Sequence, residues 1–221
     1  MPPNEPMIRV EGLFKSYGTG AQAVRVFDDF SASVAEGEVL GVVGPSGSGK
    51  STLLNLIGGL DTVSAGRIIV DGRDIAALRP GDRAAYRRDT VAFVFQFHHL
   101  LNELTLLDNV GLPLLIRGRS RREALASARE ALDLVGVGSL GHRHPQELSG
   151  GEQQRGCLAR AVASASKVVL LDEPTGSLDR ATADAVMGVF LELHLKKSWT
   201  SIIVTHNEQV AGRCTRLLRL P

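Results

Sequence analysis

The chain has 221 residues, of which 43% are apolar, 22% charged and 5% aromatic, a composition that supports a packed core and excludes disorder. Twenty-five Lys and Arg against 24 Asp and Glu leave a formal net charge of +1, so no global field draws the chain to nucleic acid or to an acidic membrane surface. Cys157 and Cys214 stand far apart in no metal-like spacing, which points to a reducing, cytosolic setting. No run reaches the roughly 18 apolar residues of a membrane span, and residues 1–6 lack the regions of a signal peptide, so any membrane contact is expected to run through partners.

In chain order, residues 8–74 hold short apolar pieces, among them 24–27 and 68–70, the latter followed by an Asp71-Gly72 turn signal, and predict an antiparallel layer. A Val-rich run at 39–43 predicts a buried strand that leads into a glycine-rich loop and a helix from Thr52 to Ile57. A second buried strand is predicted at 91–95, ending at Gln96. Residues 97–160 lack strand patterns and predict a helical insert. Its clearest helix covers 120–135, with Leu125, Ala128, Leu132 and Val135 as an apolar stripe, Ser120 and Glu123 as a capping box, and Gly136 as the stop. Further strands are predicted at 168–171, ending at Asp172 and Glu173, and at 202–204, ahead of His206. Strands alternating with helices imply an α/β fold with a mainly parallel sheet, whose ligands bind beyond the carboxyl ends of the strands.

Gly44-Pro45-Ser46-Gly47-Ser48-Gly49-Lys50-Ser51 satisfies G-x-x-x-x-G-K-[ST] between a predicted strand and a predicted helix. Backbone N–H groups of such a loop turn toward phosphate oxygens, Lys50 adds a point charge, the helix start adds a partial one, and the Ser51 hydroxyl can ligate Mg²⁺. Asp172, at a strand end, can complete that metal site directly or through water. Glu173 points the other way and is better placed to orient and polarise an attacking water.

Leu148-Ser149-Gly150-Gly151-Glu152-Gln153-Gln154-Arg155, upstream of Asp172-Glu173-Pro174, resembles the signature of the ABC ATPases. The resemblance covers nearly the whole chain: Tyr17 matches the adenine-stacking aromatic, Gln96 the Q-loop, Ser177-Leu178-Asp179 the D-loop and His206 the switch histidine. It implies a P-loop NTPase domain over 7–221. Residues 7–96 and 161–221 would form the nucleotide-binding core with its antiparallel layer, and 97–160 a helical subdomain carrying the signature. It also implies ATP hydrolysis with Mg²⁺: Gln96 joins Ser51 and Asp172 at the metal, Glu173 activates water and His206 contacts the γ-phosphate. A head-to-tail homodimer would set Ser149, Gly150 and Gly151, with Asp179, against the ATP of the other subunit.

Within the family, Phe95-Gln96-Phe97-His98-His99-Leu100-Leu101 and the 172–179 segment are similar to the ATPases serving lipoprotein release and macrolide export. That narrower resemblance implies two integral membrane subunits as partners, a peripheral place on the cytoplasmic face of the bacterial inner membrane, and extraction of lipoproteins as the work done. The alternatives are a macrolide-type exporter or a cell-division complex. A soluble ABC protein acting on nucleic acid or ribosomes is disfavoured because those carry coiled-coil insertions or tandem units that 221 residues do not hold. His98 and His99 are expected on a partner-facing surface, Arg117, Arg119, Arg121 and Arg122 on a solvated face, and Cys157 in apolar packing. Gly156, inside a predicted helix, carries an unexplained cost in helix propensity.

Overall fold

The computed structural model describes residues 5–18 and 20–221. They divide into two compact units, one made of the chain up to Arg87 together with Trp199–Pro221, the other of Arg88–Ser198.

The first unit contains the antiparallel layer. Strand β1 (Ile8–Tyr17) pairs with β2 (Val24–Val34) on one side. On the other it pairs with β4 (Ala65–Val70), which turns through Asp71 and Gly72, both at positive φ, into β5 (Arg73–Asp74). Ile8, Val10, Leu13 and Lys15 of β1 are buried, and the shift of parity between Val10 and Leu13 coincides with a break in register at Gly12, φ 51°. A bulge of this kind erases strict alternation, which is why β1 carries little strand signal in sequence. Strand β2 runs on to Val34 instead of stopping near Phe27. Its Asp28 and Asp29, the latter at φ 52°, look like turn residues but form a bulge between the Phe27–Lys15 and Phe30–Leu13 pairs, after which the ladder with β1 continues.

The same unit holds three parallel strands: β3 (Val39–Val43) lies between β8 (Thr200–Val204) and β9 (Arg216–Arg219), in register Leu40 with Ile202 and with Arg216. All five residues of β8 are buried, the apolar Ile202, Ile203 and Val204 together with the polar Thr200 and Ser201, so this strand shows no polar and apolar alternation. After β3 the chain enters α1 (Lys50–Ile57), which buries Leu53, Leu54, Leu56 and Ile57. Helix α2 (Pro80–Thr90) buries only Tyr86, whose hydroxyl donates to the Ile57 carbonyl at 2.7 Å and closes the C-terminus of α1. With no apolar stripe, α2 gives no helical periodicity to read.

In the second unit, β6 (Val91–Phe95) pairs in parallel with β7 (Val168–Asp172), Phe95 opposite Asp172. Helices α3 (Leu106–Ile116), α4 (Arg121–Leu134) and α5 (Gly150–Ala163) pack on one another, and α6 (Arg180–Lys197) packs on α5. The expected capping box is present: Ser120 Oγ accepts from the Glu123 amide while the Glu123 carboxylate accepts from the Ser120 amide. Gly156 now has a reason. A Cβ there would stand 2.5 Å from Leu106 Cδ1, and Leu106 is fully buried, so the glycine lets α3 and α5 approach closely.

The solvated face expected of the arginine cluster is corrected at Arg117. Its side chain is 19% exposed, and the guanidinium forms an ion pair with Asp89 and donates to the carbonyls of Arg88 and Ser164, while Arg119, Arg121 and Arg122 remain exposed. Five donors on a rigid fork suit such a clamp on backbone oxygens. No described helix is long and apolar enough to cross a membrane.

Candidate functional site

In the first unit, the register of β3 against β8 carries the loop 44–49 and residues 205–206 to the same end of the strands, and the Thr205 amide donates to Val42. The loop is wound tightly. Gly49 sits at φ 92°, where a side chain is strained, and a Cβ there would meet Val26 Cγ1 at 2.6 Å and Phe27 Cζ at 3.0 Å. Lys50 folds back so that Nζ donates to the Gly44 carbonyl at 2.8 Å and the Pro45 carbonyl at 2.7 Å, which places its charge over the loop. Ser48 Oγ is buried and has no hydrogen-bond partner. An orphaned hydroxyl in a glycine-rich loop at a helix start is the chemistry of a site that a multiply charged oxyanion satisfies. Ser51 and Thr52 open α1, with Ser51 exposed. His206 is exposed and lines, with Val43, Gly44, Thr205, Asn207 and Arg219, a cavity of about 450 Å³, so the structure joins it to the start of the loop.

Tyr17, at the end of β1, is 43% exposed. Its hydroxyl donates to Asp61 Oδ2 at 2.7 Å and also meets Thr52 of α1, which sets the ring beside the phosphate loop. Burial and the hydrogen bond to Asp61 both push the phenol up, so the ring is neutral and remains a donor.

In the second unit, the β6–β7 register leaves Gln96 and Glu173 following opposed residues. Glu173 has φ 46°, a left-handed conformation that costs a non-glycine residue roughly 1 kcal/mol or more and is concentrated at functional positions. Its carbonyl accepts from the Gly176 amide at 3.0 Å, closing a tight turn, and a Cβ on Gly176 would be 2.8 Å from Gln96 Nε2. The turn therefore packs directly on the Gln96 amide. Asp172 and Glu173 are half-buried at this strand end.

Ser149 is the N-cap of α5 in a capping box that the sequence reading left unnoticed: its hydroxyl donates to Glu152 Oε2 at 2.7 Å and accepts from the Glu152 amide at 3.4 Å. Hydrogen bonds from the Ser149 hydroxyl and amide hold the Glu152 carboxyl below the usual carboxylate range. Gly150 and Gly151 lie against residues 178–182, since a Cβ on each would come within 3.0 Å of Leu178 Cδ2 and 2.3 Å of Thr182 Cγ2. Asp179 is the N-cap of α6, accepting from the Thr182 amide at 3.1 Å, so the two helix starts stand together. Their side-chain caps leave first-turn backbone amides as anion donors.

His98, expected at a surface, is half-buried. Its carbonyl accepts from Cys157 Sγ at 3.1 Å and Arg160 Nη2 at 3.0 Å, while burial lowers the affinity of its ring for a proton despite a backbone hydrogen bond with Gly150. His99 is exposed, and Phe97 and Leu101 are 75% and 46% exposed. Cys157 is buried, with its thiol pushed up to about 11 by desolvation, so it stays a thiol and packs as an apolar group.

Residues 27–176 match the family described as ABC transporter. The chain is 46% identical over 217 residues to the lipoprotein-releasing system ATP-binding protein LolD of Chromohalobacter salexigens, covering 98% of this chain and 92% of that protein. It is 44% identical over 220 residues to the LolD protein of Bordetella pertussis, covering 99% and 95%. Among solved structures it is similar to the dimeric post-hydrolysis state of the ATP-binding cassette MJ0796 bound to ADP and Pi. There the TM-score is 0.89 at 34% identity, over 97% of this chain and 94% of that one.

Proposed function

The chain belongs to the ABC transporter family, and from that premise we propose that it is the ATP-hydrolysing subunit of a membrane complex that releases lipoproteins from the inner membrane. The single observation that carries this reading is the similarity to lipoprotein-releasing relatives over nearly the whole chain. The exposed Phe97 and Leu101 next to Gln96 support it, because apolar anchors at this place suit a short helix of a membrane partner.

Tyr17 stacks the adenine, and residues Gly44 to Thr52 hold the phosphates through backbone amides and the Lys50 charge. The family resemblance assigns the metal to the Ser51 hydroxyl, the Gln96 amide oxygen and the Asp172 carboxylate, each a hard oxygen donor of the kind Mg²⁺ takes. Bound there, Mg²⁺ supplies positive charge to the phosphate oxygens. Glu173, fixed by its tight turn, accepts a hydrogen bond from the attacking water and takes its proton; His206 orients the γ-phosphate. Ser149, Gly150 and Gly151, with Asp179, present a helix start to the γ-phosphate of ATP held by a second copy of the chain, so the working unit is a homodimer joined to two membrane subunits on the cytoplasmic face.

The test is reconstitution. The tagged chain is isolated from its own cells with its membrane partners, placed in proteoliposomes carrying an inserted lipoprotein, and supplied with Mg·ATP. Lipoprotein leaves the vesicles in the wild-type complex and stays in one built with Glu173→Gln. Release that persists without this chain or without ATP contradicts the reading.

A further inference from the structure

Lys15 and Asp61 lie outside every motif in the sequence, yet they are tied to Tyr17. The Lys15 side chain is 7% exposed, and its Nζ donates to Asp61 Oδ1 at 2.9 Å and to the Thr62 carbonyl at 2.7 Å. The same ammonium stands 4.4 Å from the centroid of the Tyr17 ring, while Asp61 Oδ2 takes the Tyr17 hydroxyl. One carboxylate thus holds both residues. Burial alone would raise the Asp61 carboxyl, but hydrogen bonds from Tyr17, Lys15 and the Thr62 amide outweigh it and keep the group below its usual range, ionised opposite the lysine.

A largely buried lysine pays a desolvation penalty that its pairing with one carboxylate only partly offsets, so the arrangement is poorly explained by stability alone. Its geometric effect is specific. The hydroxyl bond fixes the tip of Tyr17 and the ammonium covers one face, so the exposed part of the ring is presented in one orientation. The cation also draws π-electron density toward the covered face, which leaves the open face better suited to an electron-rich purine.

We infer that Lys15 and Asp61 are positioning residues that clamp the Tyr17 ring as a preformed platform for the nucleotide base, with Lys15 closing one face so that the base stacks on the other. This rests on the reading of Tyr17 as the base-stacking residue. A ring already held loses little rotamer freedom on binding, and releasing it weakens base recognition without touching the phosphate loop.

The experiment is calorimetric titration of the free chain with Mg·ATP and, separately, with Mg·tripolyphosphate, which has no base. Lys15→Met weakens ATP by roughly three- to tenfold and leaves tripolyphosphate unchanged. In the Tyr17→Ala background the same substitution has no further effect, because the two residues act as one unit. Asp61→Asn, which keeps an acceptor for the Tyr17 hydroxyl, gives the same comparison should Lys15→Met fold poorly. Three results overturn the clamp: ATP affinity unchanged in Lys15→Met while Tyr17→Ala weakens it, equal loss for both ligands, or additive losses in the double variant. Unchanged ATP affinity in Tyr17→Ala instead removes the base-stacking reading on which the clamp rests.

Discussion

Lys50 spends two donors on the carbonyls of its own loop, so its charge is held in place before any phosphate arrives. Lys50→Ala keeps the amides of the loop and removes that charge. ATP affinity is expected to fall by about ten- to a hundredfold, the worth of charge-assisted hydrogen bonds to phosphate. Fluorescence titration with a labelled ATP measures it, and unchanged affinity would contradict the assignment of the loop. This residue was legible in sequence because motif, strand and helix are contiguous. The left-handed backbone of Glu173 was not, because it depends on a turn packed against Gln96 from a distant strand. Lys15 and Asp61 were invisible for the same reason, being 46 positions apart. Arg117 was misread because a charge at a chain surface and a charge reaching back to carbonyls 29 and 47 residues away look identical in sequence.

Helix starts were the most legible elements, since caps are local: Ser120 with Glu123 was read directly, and Ser149 with Glu152 has the same spacing. The α3–α5 contact was not legible, because nothing local distinguishes a glycine kept for close approach from one that merely weakens a helix. The two explanations of Gly156 make opposite forecasts. Helix propensity alone gives Gly156→Ala a gain of roughly 0.5–1 kcal/mol. The new Cβ, 2.5 Å from Leu106 Cδ1 in a fully buried contact, forces Leu106 off its rotamer at a cost of about 1–3 kcal/mol. The clash is the larger effect, so urea denaturation of Gly156→Ala should show a lower midpoint than wild type. A higher midpoint would mean that Leu106 yields freely. Strands β1 and β2 were only partly legible, as bulges at Gly12 and Asp29 interrupt the period that sequence reading uses.

At the scale of the whole molecule, the alternation of buried strands and helices made the α/β class and its parallel sheet readable. The first compact unit joins the chain up to Arg87 with Trp199–Pro221, a pairing of distant segments that no local pattern marks. The chain carries almost no net charge, so no long-range field of its own steers its encounters. Hydrolysis is the step on which the rest depends. Phosphate release from saturating Mg·ATP, measured side by side for wild type and Glu173→Gln with the bound nucleotide then extracted, tests it most directly. The amide preserves the size of Glu173 and cannot take a proton, so release is expected to fall by roughly 10²- to 10⁴-fold while the recovered nucleotide remains ATP. Release at the wild-type rate, or recovery of the nucleotide as ADP, would contradict the assignment of Glu173 as the base and with it the proposed chemistry of the site.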